Sequence, residues 1–412
     1  MDRRWFCSIR AIVLGAGIAL LSSGCNLYAW GSNDVGQSGD GTRVNRDAPA
    51  PVLRNPGWLS MESGSHGTCA IDLDRSLWCW GYGAAGELGL GPSVRPYAQT
   101  APARVGSATD WQQVSMGGFA GSLPELDAPL GAATCGIRGG GQLWCWGLPP
   151  VAGPSVPSSP VFSPTRVGTE SDWTAIDVGA FHACGIRGGG QLWCWGRNDF
   201  GQIGDGTNIM RPTPVRIGSR TDWTAVSAGF SVHTCGIAGG SPYCWGHNET
   251  GQLGDGTTVD RNVPTPVLDT DGVTWTDIGT GGRGEYVWYD PWGPSSTYGA
   301  YTCALGADGT ARCWGANDFG GLGDGSRTSR STPAPVTASQ AFTSLSVGGL
   351  FACGLTSEGQ AWCWGSVPEG SRRDALPPGA TLSPARLIHD GWMSLSVGGR
   401  FATGIRPPEH VA

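Results

Sequence analysis

The sequence is poor in charge. Only 14% of its 412 residues are charged, and none of the cations is a lysine. The 33 acids outnumber the 26 bases, for a net charge of −7. A nucleic-acid binder needs clustered bases to displace condensed counterions, and no such cluster is present. This argues against DNA or RNA as a partner. Long apolar runs are also missing. The one candidate, Ala11 to Leu21, is too short to span a bilayer as a helix. Extended 3.6-residue periodicity is absent beyond residue 25. No G-x-S-x-G elbow appears, and no glycine loop runs into Lys-Ser/Thr. No two cysteines stand two to four residues apart, as zinc-ligand pairs usually do.

What is present is small, stiff and aromatic: 70 Gly, 29 Pro and 20 Trp. Regular Trp, Leu, Ile and Val supply apolar surface to bury, which excludes a disordered low-complexity chain. Short Val/Ile/Trp runs punctuated by Gly and Pro predict an all-β protein.

The N-terminus reads as a targeting segment. The stretch "MDRRWFCSIR" is basic, "AIVLGAGIALL" is apolar, and small residues follow before Cys25. Residues 1–24 are expected to be a signal peptide. "SSGC" resembles a bacterial lipoprotein cleavage site, with Cys25 lipidated and residues 25–27 a short linker. Ser22 departs from the aliphatic residue usual there, which leaves an ordinary secretory signal as the alternative.

Internal repetition dominates the rest. Trp-Gly recurs at Trp30, Trp80, Trp146, Trp195, Trp245, Trp314 and Trp364, at intervals of 49 or 50 residues where nothing is inserted. A loop follows each mark, often "GQxGDGT". Then come a Pro-containing strand, an alternating strand such as "DWTAVSAG", and a "Cys-Gly-Ile" piece. Cysteines 69, 135, 184, 235, 303 and 353 open six of these pieces, and a seventh at the C-terminus has Thr403 instead. The first Trp-Gly is preceded by Ala29 where the complete copies have cysteine. The chain thus begins with a second half-unit and ends with a first half-unit, and both lack their cysteine. A closed ring completed by both chain ends explains this.

Joint loss of the two cysteines implies that each pair bonds within one unit. In "CGIRGGGQLWC" a turn centred on Gly189 sets Cys184 opposite Cys194, within disulfide reach. The expected disulfides are Cys69–Cys79, Cys135–Cys145, Cys184–Cys194, Cys235–Cys244, Cys303–Cys313 and Cys353–Cys363.

Seven copies of this pattern resemble the repeats of the regulator of chromosome condensation family. The resemblance spans residues 28–406 and implies a seven-bladed β-propeller whose last blade is closed by N- and C-terminal strands, with 407–412 a tail. The family's founding roles, nucleotide exchange on a small GTPase and chromatin binding, do not suit an acidic chain with a secretion signal.

Candidate chemistry is thin. The "GDGT" residues Asp40, Asp205, Asp255 and Asp324 would be spread around a ring, and they read as turn formers rather than catalytic or calcium-binding groups. His182 and His233 share a register in neighbouring units and read as repeat residues bonded to nearby backbone. No cofactor, metal site or catalytic residue is expected. Trp193 is expected to lie over Gly185, and most tryptophans to pack between blades.

Departures from the repeat carry more information. Insertions fall between Trp111 and Cys135 and between Trp275 and Cys303, at the same point of their units. They are expected on one face of the disc, with the "GDGT" loops on the other. The longer insertion brings Arg283, Tyr286, Trp288, Tyr289 and Trp292 together, residue types favoured where binding energy concentrates. The reading is a monomeric, non-enzymatic binding scaffold of the bacterial cell envelope, anchored at the outer membrane or surface. Its expected partner is an envelope or extracellular protein. The alternatives are a carbohydrate partner, a propeller-based lyase or hydrolase, and a soluble secreted form. Non-reducing peptide mapping should recover the six pairs above. Each closes a loop of about ten residues and adds roughly 2–3 kcal/mol on the chain-entropy account.

Overall fold

The computed structural model describes residues 10–14, 17–21, 25–54, 56–93, 98–118, 133–148, 159–268, 272–282, 299–367 and 381–408. These residues contain strands and turns and no helix. Strands β1 (Arg10–Leu14) and β2 (Gly17–Leu21) pair as a separate ribbon. Every other strand belongs to one of seven four-stranded antiparallel blades.

Blade 1 is β5 (Trp58–Ser63), β6 (Gly67–Asp72), β7 (Leu77–Gly81) and β8 (Gln99–Arg104). Blade 2 is β9 (Trp111–Met116), β10 (Ala133–Arg138), β11 (Gln142–Gly147) and β12 (Val161–Arg166). Blade 3 is β13 (Trp173–Val178), β14 (His182–Arg187), β15 (Gln191–Gly196) and β16 (Arg211–Arg216). Blade 4 is β17 (Trp223–Ser227), β18 (His233–Ala238), β19 (Ser241–Gly246) and β20 (Arg261–Pro266). Blade 5 is β21 (Trp275–Gly282), β22 (Ala300–Gly306), β23 (Ala311–Gly315) and β24 (Arg330–Pro335). Blade 6 is β25 (Phe342–Val347), β26 (Phe351–Thr356), β27 (Ala361–Gly365) and β28 (Thr381–Arg386).

Blade 7 joins the two ends of the chain in the order β29 (Ser394–Val397), β30 (Phe401–Arg406), β3 (Asn26–Gly31), β4 (Arg46–Pro51). Ala29 lies opposite Thr403, the two positions that lack cysteine. Strand β3 starts at Asn26, paired with Arg406, so residues 26 and 27 are ladder rather than linker.

The first strands of the blades contact one another in a closed circuit, β5 to β9 to β13 to β17 to β21 to β25 to β29 and back to β5. Side chains stitch this inner ring. Ser115 Oγ accepts from Val178 N (2.9 Å), Asp177 Oδ2 from Ala228 N (2.7 Å) and Ser227 Oγ from Thr280 N (3.1 Å). Ser346 Oγ accepts from Val397 N (2.8 Å) and Ser396 Oγ from Ser63 N (2.8 Å). The last of these bonds closes the circle from blade 7 to blade 1.

The core lies between blades. The disulfide of blade 3, with Ile186 and Leu192, packs on Trp223 and Trp245 of blade 4. The same pattern recurs around the disc, so each blade buries one face against each neighbour. All six expected disulfides are present, each with Cα atoms 4.1 Å apart. Trp193 does pair with Gly185 in register, but the ring filling the space over Gly185 is that of Trp173. Outer strands carry prolines, such as Pro212 and Pro214 in β16, which suits an exposed edge that must not recruit another strand.

One sequence expectation is overturned. In an antiparallel blade the first-to-second and third-to-fourth connections leave from the same end. Both insertions are first-to-second connections, β9 to β10 and β21 to β22. The "GDGT" loops and their Pro-rich substitutes are third-to-fourth connections. All therefore emerge on one face, here called the loop face. The opposite hairpin face carries tight turns such as Gly188–Gly190.

Deleting residues 390–412 removes β29, β30 and Trp392 and leaves β3 paired with β4 alone. Differential scanning calorimetry should then show loss of the cooperative transition, or aggregation through the opened edge. A truncated chain that melts like the parent would refute closure by the two ends.

Candidate recognition face

The loop face rests on a repeated turn. In blade 3, Asn198 Nδ2 donates to Thr207 O (2.9 Å), Ile209 O (3.1 Å) and Asp205 Oδ1 (3.3 Å), while Asn198 Oδ1 accepts from Ile203 N. Asp205 Oδ1 also accepts from Thr207 N and Oγ1, and Asp205 Oδ2 pairs with Arg211. The same set recurs at Asp40, Asp255 and Asp324, with Arg46, Arg261 and Arg330. Burial works to raise these carboxyl pKa values, but the Thr or Ser hydrogen bonds and the arginine hold all four below the usual range. Both oxygens of each aspartate are committed to the turn.

Each turn also holds the next blade. The Gln202 carbonyl in the blade 3 loop accepts from Trp245 Nε1 (2.9 Å) and Thr234 Oγ1 (2.7 Å) of blade 4. The carbonyls of Gln37, Glu87 and Gln252 serve blades 1, 2 and 5 in the same way. Gly204 has φ +82°, and a Cβ there would lie 2.6 Å from Trp245 Nε1. This close approach explains the glycine two residues after the glutamine; Gly246, after the tryptophan, has φ +102° and a Cβ there would meet Val232 O at 2.7 Å.

His182 and His233 lie at equal depth in neighbouring blades. Their partners are hydroxyls of the following blade, not nearby backbone: His182 Nε2 with Thr234 Oγ1 (2.7 Å) and His233 Nε2 with Thr302 Oγ1 (2.9 Å). Burial pushes both down to about 3, so they are neutral at physiological pH. The described residues hold no group of three or more His, Cys, Asp or Glu placed to bind a metal ion.

In blade 5, Gly321 stands where blades 3, 4 and 7 have glutamine. A small cavity of about 20 Å³ opens there, lined by Tyr301, Ala316, Phe319, Gly321 and Leu350. Tyr301 crosses to blade 6, its hydroxyl donating to Gly348 O (3.0 Å). Gly299, the described end of the longer insertion, lies on the cavity wall. Arg283, Tyr286, Trp288, Tyr289 and Trp292 lie outside the described residues, as does the shorter insertion between residues 118 and 133. Sequence reasoning missed the cavity, although the missing glutamine in "GGLGDG" is its signal.

Two models of the regulator of chromosome condensation (RCC1) repeat match the chain, one at residues 26–71, 189–236 and 240–284 and the other at 173–202 and 342–366. These segments match the repeat of the regulator of chromosome condensation family. Solved structures of similar shape include Prp20p from Saccharomyces cerevisiae, whose structure was reported with its binding to Gsp1p and histones. It is 17% identical, with a TM-score of 0.72 over 100% of this chain and 95% of that one. Human WBSCR16 is 14% identical, with a TM-score of 0.75 over 94% of this chain and 100% of its own. Yeast RCC1 bound to Kap60 is 17% identical, with a TM-score of 0.70 over 94% and 90%. At these identities the likeness is one of fold alone.

One side chain breaks the repeat's chemistry. Glu87 takes the place of Gln37, Gln202 and Gln252, and Glu87 Oε2 accepts from Ala85 N (2.8 Å) as the glutamines do from their own loops. Burial pushes its carboxyl up to about 8, against two backbone hydrogen bonds. A folded-state pKa above the unfolded value gives stability that is complete below about 4.5 and is lost as pH rises through about 8. Glu87→Gln should therefore raise Tm, with the gain widening from pH 5 to pH 8 and reaching on the order of a few kcal/mol. Glu62, Asp177 and Asp277 are also pushed up by burial, but they are common to both proteins and cancel in the difference. A gain that does not vary with pH would refute this account.

Proposed function

We propose that the chain is a non-enzymatic binding scaffold of the bacterial cell envelope that captures a protein partner on its loop face. The asymmetry of the disc carries this reading. The insertions, the "GDGT" loops and their Pro-rich substitutes all leave from one face of a ring braced by six disulfides, whereas the other face has tight hairpins and blade-to-blade connections of six to eight residues. Disulfides of this density suit an oxidising compartment outside the cytoplasm. No described helix is long and apolar enough to cross a membrane. Two of the structural neighbours are reported with protein partners, Gsp1p and histones in one case and Kap60 in the other.

Within this reading, residues 1–24 are a signal peptide and Cys25 is the attachment point of a lipid. Lipidation exchanges the Sγ–H bond for an Sγ–carbon bond to diacylglycerol drawn from a phospholipid, whose phosphate head group leaves with the proton. It requires a reduced, accessible thiol, whereas Cys25 is disulfide-bonded and fully buried in this structure. Processing must therefore precede oxidation at this residue.

The insertion residues Arg283, Tyr286, Trp288, Tyr289 and Trp292 are the proposed contact set. Changing Trp288 and Trp292 together to alanine should abolish capture of the partner from an envelope extract while Tm barely moves. A large fall in Tm would make the insertion a structural cap. Unchanged capture with unchanged Tm would move the contact to the "GDGT" loops of the same face. Binding to immobilised glycans, lost in the same variant, would replace the protein partner with a carbohydrate.

A further inference from the structure

In the loops that carry "GDGT" or "GDGS", the residue after Trp-Gly and the acid two places further on stand side by side. In blade 7, Ser32 Oγ donates to Asp34 Oδ2 (3.1 Å). In blade 3, Arg197 Nε pairs with Asp199, and its guanidinium lies 5.3 Å from the Phe181 ring. In blade 4, His247 Nε2 lies 3.7 Å from Glu249 Oε2, and its ring lies 4.7 Å from that of Phe200. A donor at this place thus faces the acid and, in blades 3 and 4, rests on an aromatic ring.

Blade 5 keeps the acid and lacks the donor. The residue after Trp314-Gly315 is Ala316, whose methyl group cannot bond to the exposed Asp318. The Asp318 carbonyl accepts from Arg327 Nη1 (2.7 Å), which holds the loop. Among the described residues its carboxylate has neither hydrogen bond nor ion pair. The same loop has Gly321 in place of glutamine. Two side chains are thus missing from one spot. The cavity of about 20 Å³ lies there, lined by Ala316 and Gly321 together with Tyr301, Asp318, Phe319 and Leu350.

This lining suits a small organic cation. Tyr301 and Phe319 supply aromatic rings, whose faces attract positive charge. Tyr301 is fixed by its bond to Gly348 O (3.0 Å). Asp318 supplies a negative charge at the rim, and Leu350 and Ala316 suit a methylene stem. A space of about 20 Å³ holds a group the size of a water molecule. It admits an ammonium and is small for the planar guanidinium. The chain has no lysine of its own to place there, and its net charge of −7 favours the approach of a basic partner.

We propose that this well receives the ammonium of a lysine side chain presented by the protein partner. The proposal rests on the loop face as the capture surface and names the chemistry that one part of it reads. Gly299, the described end of the longer insertion, lines the same well, so the seat adjoins the proposed contact set.

The test uses the disulfide-bonded protein, carbon-13 labelled at its tyrosine rings, and capped Gly-Xaa-Gly peptides with lysine, norleucine or glutamate at Xaa. Tyr301→Phe assigns the Tyr301 signal. The lysine peptide should shift that signal saturably and bind about tenfold more tightly than the norleucine peptide, which has the apolar stem without the charge. The glutamate peptide should not bind. Asp318→Asn should remove the preference for lysine at unchanged Tm. Ala316→Arg, which restores the arrangement of blade 3, should fill the seat and abolish the shift. Equal binding of lysine and norleucine, or a preference that survives Asp318→Asn, would overturn the cation seat. A lysine peptide that binds only after Arg283→Ala would overturn it too, because the chain's own arginine would then be the occupant. No response to any peptide, with capture still lost in the Trp288 and Trp292 variant, would overturn the seat and leave the loop face standing.

Discussion

The disc depends on one contact, repeated from blade to blade. A tryptophan from one unit seats against a glycine in the loop of the unit before it and donates its indole N–H to a carbonyl of that loop, as Trp245 does over Gly204 to Gln202. The contact needs a positive φ, a missing Cβ and a buried backbone acceptor at once. That combination is why Trp-Gly and "GQxGDG" travel together in the sequence. It also gives the ring a direction, because each loop holds the blade that follows it. The seam between blades 6 and 7 departs from it. The loop of blade 6 is a Pro-rich substitute, Trp30 Nε1 has no hydrogen-bond partner, and the paired middle strands of blade 7 have Ala29 and Thr403 where the other blades have a disulfide.

Much of the frame was legible because repetition turns a single sequence into seven samples of one unit. Ala29 and Thr403 are uninformative alone. As the two missing cysteines of one unit, they disclose both the disulfide pairing and the closure. The faces were less legible. Assigning insertions and "GDGT" loops to opposite sides overlooked strand parity, which places first-to-second and third-to-fourth connections at the same end. The histidine partners were hidden because Thr234 and Thr302 lie 52 and 69 residues away in sequence. Glu87 drew no notice in the sequence, because a carboxyl and an amide differ in protonation rather than in shape. The candidate contact residues break the repeat, so the other six units offer no template for them.

Frame and loops answer to different physics. Frame positions are fixed by close packing and by pairing of buried polar groups, and a change there is felt by the adjoining blade. The insertions and the Pro-rich loops lack the sequence pattern that makes these contacts in the "GDGT" loops. Variation can accumulate there without loss of the fold, which is where surface recognition is free to diverge. Similarity in shape to Prp20p at 17% identity reflects the frame and carries no information about those connections.

The way blade 7 is built has a further consequence for chain connectivity. Its two middle strands meet at the same register as the covalently linked pairs, with Ala29 opposite Thr403 as Cys194 is opposite Cys184. The position of the chain ends is therefore a property of the genetic reading frame rather than of the architecture. Bridging Arg406 to Asn26 with a short glycine turn and opening the turn at Gly188–Gly190 would yield a circularly permuted chain with the same seven blades. Its split unit would then be held by the Cys184–Cys194 bond across the new ends, a covalent clasp that the natural arrangement lacks.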